Sequence, residues 1–237
     1  MFYTEIIEDE ICVLNSEESK HCIGVLRHHT GDIVDVFSRS GKIYTAKIIN
    51  DSQKKCVLNI IDSQPAYKRP EFLHIAIAPT KNIDRFEWFV EKAVETGVEE
   101  ITPVVSEHSE RKMLNLERME KIIIAAMKQS LNMHFPKINQ VIEFKDFIRL
   151  KSAETKCIAY CEEKTISFSE TIVSGKPTLT MIGPEGDFTK QEIEMAISKG
   201  FIPVSLGRNR LRTETAGIVS CAIFQCMTAR YGIIRDK

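Results

Sequence analysis

The chain has no apolar run approaching the roughly 18 to 20 residues that span a bilayer, which excludes a helical membrane protein and any membrane partnership through one. Its first ten residues carry four acids and no basic stretch, so they do not read as a secretory signal, and a cytoplasmic location is expected. The seven cysteines (Cys12, Cys22, Cys56, Cys157, Cys161, Cys221 and Cys226) are odd in number and show no Cys-x-x-Cys spacing. Reduced thiols are expected, not a disulfide or metal framework. The six histidines form no His-Glu-x-x-His pattern, and no metal is expected. Net charge is also nearly missing, at −1, which argues against a protein that is basic all over and binds nucleic acid without selectivity. Repeats and low-complexity tracts are absent.

What is there is ordinary globular sequence with a marked organisation. At 237 residues, 43% hydrophobic and 27% charged, the chain can bury a sizeable core in one large domain or in a small and a medium one. Residues 1–64 look β-rich, with strands expected over 32–37, 43–49 and 56–61 separated by turn residues, the pattern of a small barrel. Residues 64–70 contain two prolines and read as a linker.

Beyond it strands alternate with helices, which defines an α/β fold built on a parallel sheet. Strands are expected at 72–78, 101–105, 156–160, 178–182 and 202–206. A helix over 84–97 buries Phe86, Phe89, Val90, Ala93 and Val94, and one over 116–131 buries Leu116, Met119, Ile123 and Ala126. Thr189-Lys-Gln-Glu192 is a capping box with Phe188 and Ile193 in the staple positions, opening a helix that should stop at Gly200. A last helix carries Ala216, Val219, Ala222, Ile223 and Cys226 as its buried stripe.

Two strand-to-helix junctions near the C-terminus hold unusual residues. They lie one strand-helix unit apart, which brings both to one edge of a parallel sheet, where open α/β folds bind ligands. The first, Gly183-Pro-Glu-Gly186, lets a ligand approach the main chain, yet it is neither a Walker loop nor Gly-x-Gly-x-x-Gly, and a plain turn fits it as well. The second runs Leu206-Gly207-Arg208-Asn209-Arg210-Leu211-Arg212 into Thr213-Glu214-Thr215. Its three arginines suit an anion or a planar polar ring, although Thr213 or Thr215 could simply cap the helix. From Lys199 to Arg212 there are four cations and no acid, which fits a phosphate-bearing partner or a solvated loop alike.

Together with the rest of the chain these junctions complete an ordered set of motifs. The set comprises His21-x5-Arg27 and Gly31-Asp32; Arg85-Phe-Glu-Trp88 with Lys92, Glu95, Gly97 and Val98; Gln129-Ser130 with Pro136; Gly183-Pro-Glu-Gly186; and Leu206-Gly207 with Leu211-Arg212-x-Glu214-Thr215-Ala216. In this order, over nearly the whole length, the chain resembles the SPOUT superfamily of knotted methyltransferases and, within it, the RsmE family, which methylates N3 of a uridine in 16S ribosomal RNA with S-adenosylmethionine. The resemblance implies a PUA-like RNA-binding barrel over residues 1–70 and a methyltransferase domain over 71–237 whose C-terminal part is threaded as a trefoil knot. It implies a homodimer with 216–227 as an interface face, and 16S rRNA or the small ribosomal subunit as partner.

By position, Ile182, Gly183, Pro184, Glu185 and Gly186 are expected on one side of the S-adenosylmethionine pocket, with Ser205, Leu206, Gly207 and Leu211 on the other. Arg212 is expected to orient the uracil and stabilise its charge. Glu214 is expected to fix Arg212 or join in proton removal, unless it only complements the helix dipole. Arg210 falls on the RNA side with Arg27, Arg39 and Lys42, candidate phosphate contacts that could equally be solvated surface residues. The chain departs from the family pattern at Asn209-Arg210, where arginine and isoleucine are usual, and at Asn132, where arginine is frequent. Those departures keep open a SPOUT enzyme acting at another RNA position; an RNA-binding module that retains the fold without catalysis is a separate alternative.

Overall fold

The computed structural model describes residues 1–67, 70–150, 154–160 and 165–228. The chain divides into two compact units, one of residues 1–68 and 127–135 and the other of residues 69–126 and 136–237.

The first unit is a mixed six-stranded sheet: β1 (Phe2–Tyr3), β2 (Ile6–Glu8), β3 (Ile11–Val13), β4 (Ile33–Phe37), β5 (Lys42–Asn50) and β6 (Val57–Pro65), in the order β1-β4-β5-β6-β3-β2. Neighbours are antiparallel except β1 and β4. Tyr44, Ala46 and Ile48 of β5 alternate inward, as a half-buried strand requires, and meet Phe2, Cys12, Leu14, Val36 and Leu58 in one core. Register shifts at Thr45/Ala46 and Ile48/Asn50 mark irregular pairing between β5 and β6, the kind of bulge that bends a strand pair. The expected barrel is thus a half-barrel. β6 runs on to Pro65, into the stretch read as a linker, of which residues 68 and 69 lie outside the described residues. A short helix α1 (Ser16–Ser19), capped by the Asn15 side chain, continues into a π-helix over Lys20–Val25 that no periodicity announces.

The second unit is built on parallel strands β7 (Leu73–Ile77), β8 (Glu100–Val105), β9 (Lys137–Ile138), β10 (Ile142–Glu143), β11 (Thr155–Ala159), β12 (Ile166–Ser167), β13 (Thr178–Ile182) and β14 (Ile202–Ser205). Their order is β10-β8-β7-β13-β11-β14-β12, with β9 also on β8. Central β7 and β13 are buried at every residue, as expected for strands covered on both faces. The helices are α2 (Ile83–Glu95), α3 (Leu116–Ser130), α4 (Phe144–Phe147), α5 (Phe168–Thr171), α6 (Lys190–Ser198) and α7 (Thr213–Thr228).

Local chemistry explains the best-defined ends. Asn82 caps α2 by accepting from the Asp84 amide, its five expected apolar residues are buried, and Gly97 leaves it at φ +82°. The capping box of α6 is formed in both directions between Thr189 and Glu192, and Phe188 and Ile193 are buried in the same cluster. In α3, Met119, Ile123 and Ala126 are buried as expected, joined by Met127, while Leu116 is only half-buried.

The face of α7 is a correction. Its core side is Thr213, Gly217, Ser220, Cys221, Phe224 and Thr228; of the expected stripe only Ala216 is buried, while Ala222 and Cys226 are exposed. The helix is apolar nearly all round, so hydropathy does not choose a side, and close approach does. A Cβ on Gly217 would stand 2.5 Å from Phe89 Cε2 and 3.0 Å from Ile77 Cδ1. Ser220 and Thr228 hydroxyls, on this same side, donate back to the carbonyls of Ala216 and Phe224 at 2.9 and 2.8 Å, so both buried hydroxyls are paired.

At the opposite end of the sheet from the strand C-termini, His74 Nε2 lies 2.7 Å from Thr102 Oγ1, and Asn139 Nδ2 donates to Thr102 Oγ1 and Glu100 Oε1 at 2.6 Å each. Burial holds the imidazole pKa well below its ordinary value, so the ring is neutral at physiological pH. Burial also pushes the Cys12, Cys22 and Cys221 thiols up to about 12 and Cys157 to about 11, as inert core thiols require. Cys226 is exposed, and Cys161 lies outside the described residues.

Replacing Gly217 with alanine should cost about 1 to 3 kcal/mol, because the added methyl meets an aromatic edge on a packed helix. The urea midpoint is expected to fall with the slope unchanged; an unaltered midpoint would show that α7 is not seated this closely.

Candidate active site

The C-terminal ends of β11, β13 and β14 open into a cleft of about 290 Å³. Ala159 and Tyr160 line it after β11, Ile182, Gly183, Pro184, Glu185 and Asp187 after β13, and Leu206, Gly207 and Asn209 to Thr213 after β14, with Val204 and Ala216 below. The segment after β14 therefore runs back past β11 to β13, because α7 packs on α2, β7, α5 and β13. A trefoil knot needs this return.

The two loops are pinned together. Thr213 Oγ1 donates to the Gly183 carbonyl at 3.0 Å in a buried bond, and Arg210 Nη2 reaches the Glu185 carbonyl at 3.4 Å. A Cβ on Gly183 would lie a tight 3.1 Å from the Phe188 ring, and Gly207 takes φ +143°, a region that favours glycine. Ser205 Oγ accepts from the Gly207 amide at 3.2 Å and donates to its carbonyl at 2.9 Å, so its hydroxyl shapes the turn. Gly186 faces His108, whose Cβ would be 3.0 Å from an added methyl. Neither Ser205 nor Gly186 is part of the cleft lining.

A second ring of contacts holds the 183–187 loop from outside. The Glu185 carboxylate accepts from the Lys81 amide at 3.0 Å, and Arg111 donates to the carbonyls of Thr80 and Lys81 at 3.1 and 2.9 Å. His108 Nδ1 lies 3.1 and 3.0 Å from the carbonyls of Gly186 and Asp187. Carbonyls only accept, so Nδ1 carries the proton. His108 and Arg111 were missed by sequence reasoning; the available signal was a polar stretch directly after a strand that ends at the ligand-binding edge.

Arg212 lines the cleft and is exposed, while its carbonyl accepts the Ala216 amide at 2.8 Å to start α7. Glu214 is elsewhere. It is 6% exposed, its Oε1 lies 3.9 Å from Arg85 Nε on α2, and its buried Oε2 has no partner among the described residues. The charged neighbour of Glu214 is thus Arg85 on α2, while Arg212 stands just before the first residue of α7. In the first unit, Arg27 is exposed and held at φ +58°, Lys42 is exposed at the start of β5, and Arg39 donates to Tyr3 Oη at 3.3 Å with its guanidinium 4.6 Å from the Phe135 ring centre.

A parallel sheet with a glycine-walled, arginine-rimmed cleft at its C-terminal edge meets a defined class here: residues 68–225 match the family model described as an RNA methyltransferase domain. The ribosomal RNA small subunit methyltransferase E of Buchnera aphidicola (subsp. Acyrthosiphon pisum) is 30% identical over 226 residues, covering 90% of this chain and 87% of that one. The chain belongs to the ribosomal RNA small subunit methyltransferase E family. Among solved structures, a probable rRNA-methyltransferase from Porphyromonas gingivalis superposes with a TM-score of 0.90 at 40% identity, covering 97% of this chain and 98% of that one. The Neisseria gonorrhoeae ribosomal RNA small subunit methyltransferase E, solved bound to S-adenosyl methionine, superposes with a TM-score of 0.86 at 26% identity, covering 97% and 98%.

Replacing His108 with alanine should free the 183–187 loop without unfolding the sheet. One lost neutral hydrogen bond corresponds to about a fivefold rise in amide exchange at Asp187, readable by mass spectrometry; unchanged exchange would remove His108 as a brace.

Proposed function

We propose that this chain transfers the methyl group of S-adenosylmethionine to N3 of a uridine in 16S rRNA of the small ribosomal subunit, acting in the cytoplasm as a homodimer. The observation that carries the reading is the single cleft that both C-terminal loops build at the sheet edge, in a chain of this family. Its volume is at the small end of the range for ligand sites. Ile182, Val204, Leu206 and Leu211 give it apolar walls suited to a nucleoside, and Gly183 and Gly207 expose main chain along its rim. The residues present fit the cofactor.

When bound, the cofactor supplies an electrophilic sulfonium methyl. This chain's own residues must deal with the nucleophile, whose N3 proton has a pKa well above neutrality, so the developing uracil anion needs stabilisation or the proton needs an acceptor. The Arg212 guanidinium stands exposed on the cleft wall, where its planar set of donors suits it to clamp the uracil oxygens. Glu214, turned toward Arg85, contributes by fixing the first turn of α7, which begins at Thr213 directly after Arg212.

N3 lies on the Watson–Crick edge, so the base must be unpaired or flipped. Arg27, Arg39 and Lys42 of the first unit would contact RNA phosphates. Dimer formation is supported by the outward face of α7, where Ala222, Cys226 and Met227 remain exposed beside half-buried Val219 and Ile223.

Nucleoside mass spectrometry of 16S rRNA from a strain lacking this protein should show loss of one N3-methyluridine, restored by complementation. Loss of a different methylated nucleoside would overturn the substrate assignment. Arg212→Ala should lower single-turnover transfer by about 100-fold or more, while calorimetry finds S-adenosylmethionine bound within about threefold of the wild-type affinity. Undiminished transfer would remove Arg212 from the chemistry.

A further inference from the structure

Arg210 read from the sequence as an RNA contact, but it lines the cleft, with Nη2 directed at the Glu185 carbonyl. At 3.4 Å that bond is at the long limit, and it engages one of five guanidinium donors. Two cations line the cleft, Arg210 and Arg212; Arg208 does not. The two acids lining it are committed to main chain: Glu185 accepts from the Lys81 amide and Asp187 from the Phe188 amide. The wall therefore presents an arginine with donors to spare beside carboxylates already hydrogen-bonded.

S-adenosylmethionine carries a carboxylate at the end remote from its adenine. With the nucleoside against the apolar walls, that anion needs a charged donor at the cleft mouth, because desolvating it without one is costly. We infer that Arg210 binds the α-carboxylate of S-adenosylmethionine and so belongs to the cofactor side of the cleft, a statement that rests on the cleft being the cofactor site. A guanidinium fork matches a carboxylate with two parallel hydrogen bonds. Arg212, adjacent but one apart along a bending segment, is left for the base. The arginine run thus splits by position: residue 210 selects the cofactor and residue 212 meets the RNA.

The test is calorimetric titration of the full-length protein with S-adenosylmethionine and with its decarboxylated analogue, for wild type, Arg210→Met and Arg210→Lys. Methionine keeps the apolar stem while removing the charge. Wild type is expected to favour S-adenosylmethionine by about tenfold or more, the value of one charge-assisted contact. Arg210→Met should lose that preference by binding S-adenosylmethionine about tenfold more weakly while holding the analogue unchanged or slightly tighter, and Arg210→Lys should keep part of it. Retained binding of the analogue also shows that the variant is folded. Equal weakening toward both ligands, or unchanged affinity for S-adenosylmethionine, would overturn the inference, and an accompanying loss of rRNA-fragment binding would move Arg210 to the RNA side. Wild-type protein that binds neither ligand would sink the cofactor reading itself, whereas wild type that binds both equally sinks this inference alone.

Discussion

The cleft depends on how closely α7 can lie against α2 and β7. Because residue 217 has no side chain, the helix settles onto Phe89 and Ile77, and its first turn is carried over the end of β13. There the Thr213 hydroxyl donates to the Gly183 carbonyl and ties the start of α7 to the loop after β13. A helix held even a methyl's thickness further out would leave that hydroxyl short of its acceptor, with only the long Arg210–Glu185 bond between the two loops. The site is thus set by packing some distance below it.

The parts of the fold with strong local signals were legible in the sequence. Strand β13, the capping box of α6, the buried face of α2 and the glycines at 97 and 200 each announce themselves within a few residues. Strands β9, β10 and β12 have two residues apiece, too few for any alternation to register, and the π-helix at 20–25 has no periodic signature. The grouping of residues 127–135 with the first unit is a tertiary fact without a local cause in those residues. For α7 the sequence identified a helix but not its orientation, since apolar side chains surround it and the decisive feature is a missing one.

The candidate site divides in the same way. The composition of 205–216 pointed to the loop that does line the cleft, and the glycine of Gly183 to the backbone opposite. Partnerships across the sheet edge were hidden: Lys81 with Glu185, His108 with the Gly186 and Asp187 carbonyls, Arg85 with Glu214. These are contacts between loops and helices that follow different strands, and only the strand order brings them together. They also differ in weight, for the Lys81–Glu110 ion pair in this region is exposed on both sides and adds little, whereas the bonds made to main chain fix loop conformation directly.

The polar network of His74, Thr102 and Asn139 sits at the strand N-termini, at the far edge from the cleft. In an all-parallel sheet every strand-to-helix loop opens on one edge and every return lies on the other, so foldedness and reactivity are drawn from separate ends of the same strands. Descendants of this sequence can accordingly drift in one end while the other stays fixed. A tolerance map of the protein would be two-sided, with the half that governs survival of the fold set apart from the half that governs what the fold is used for.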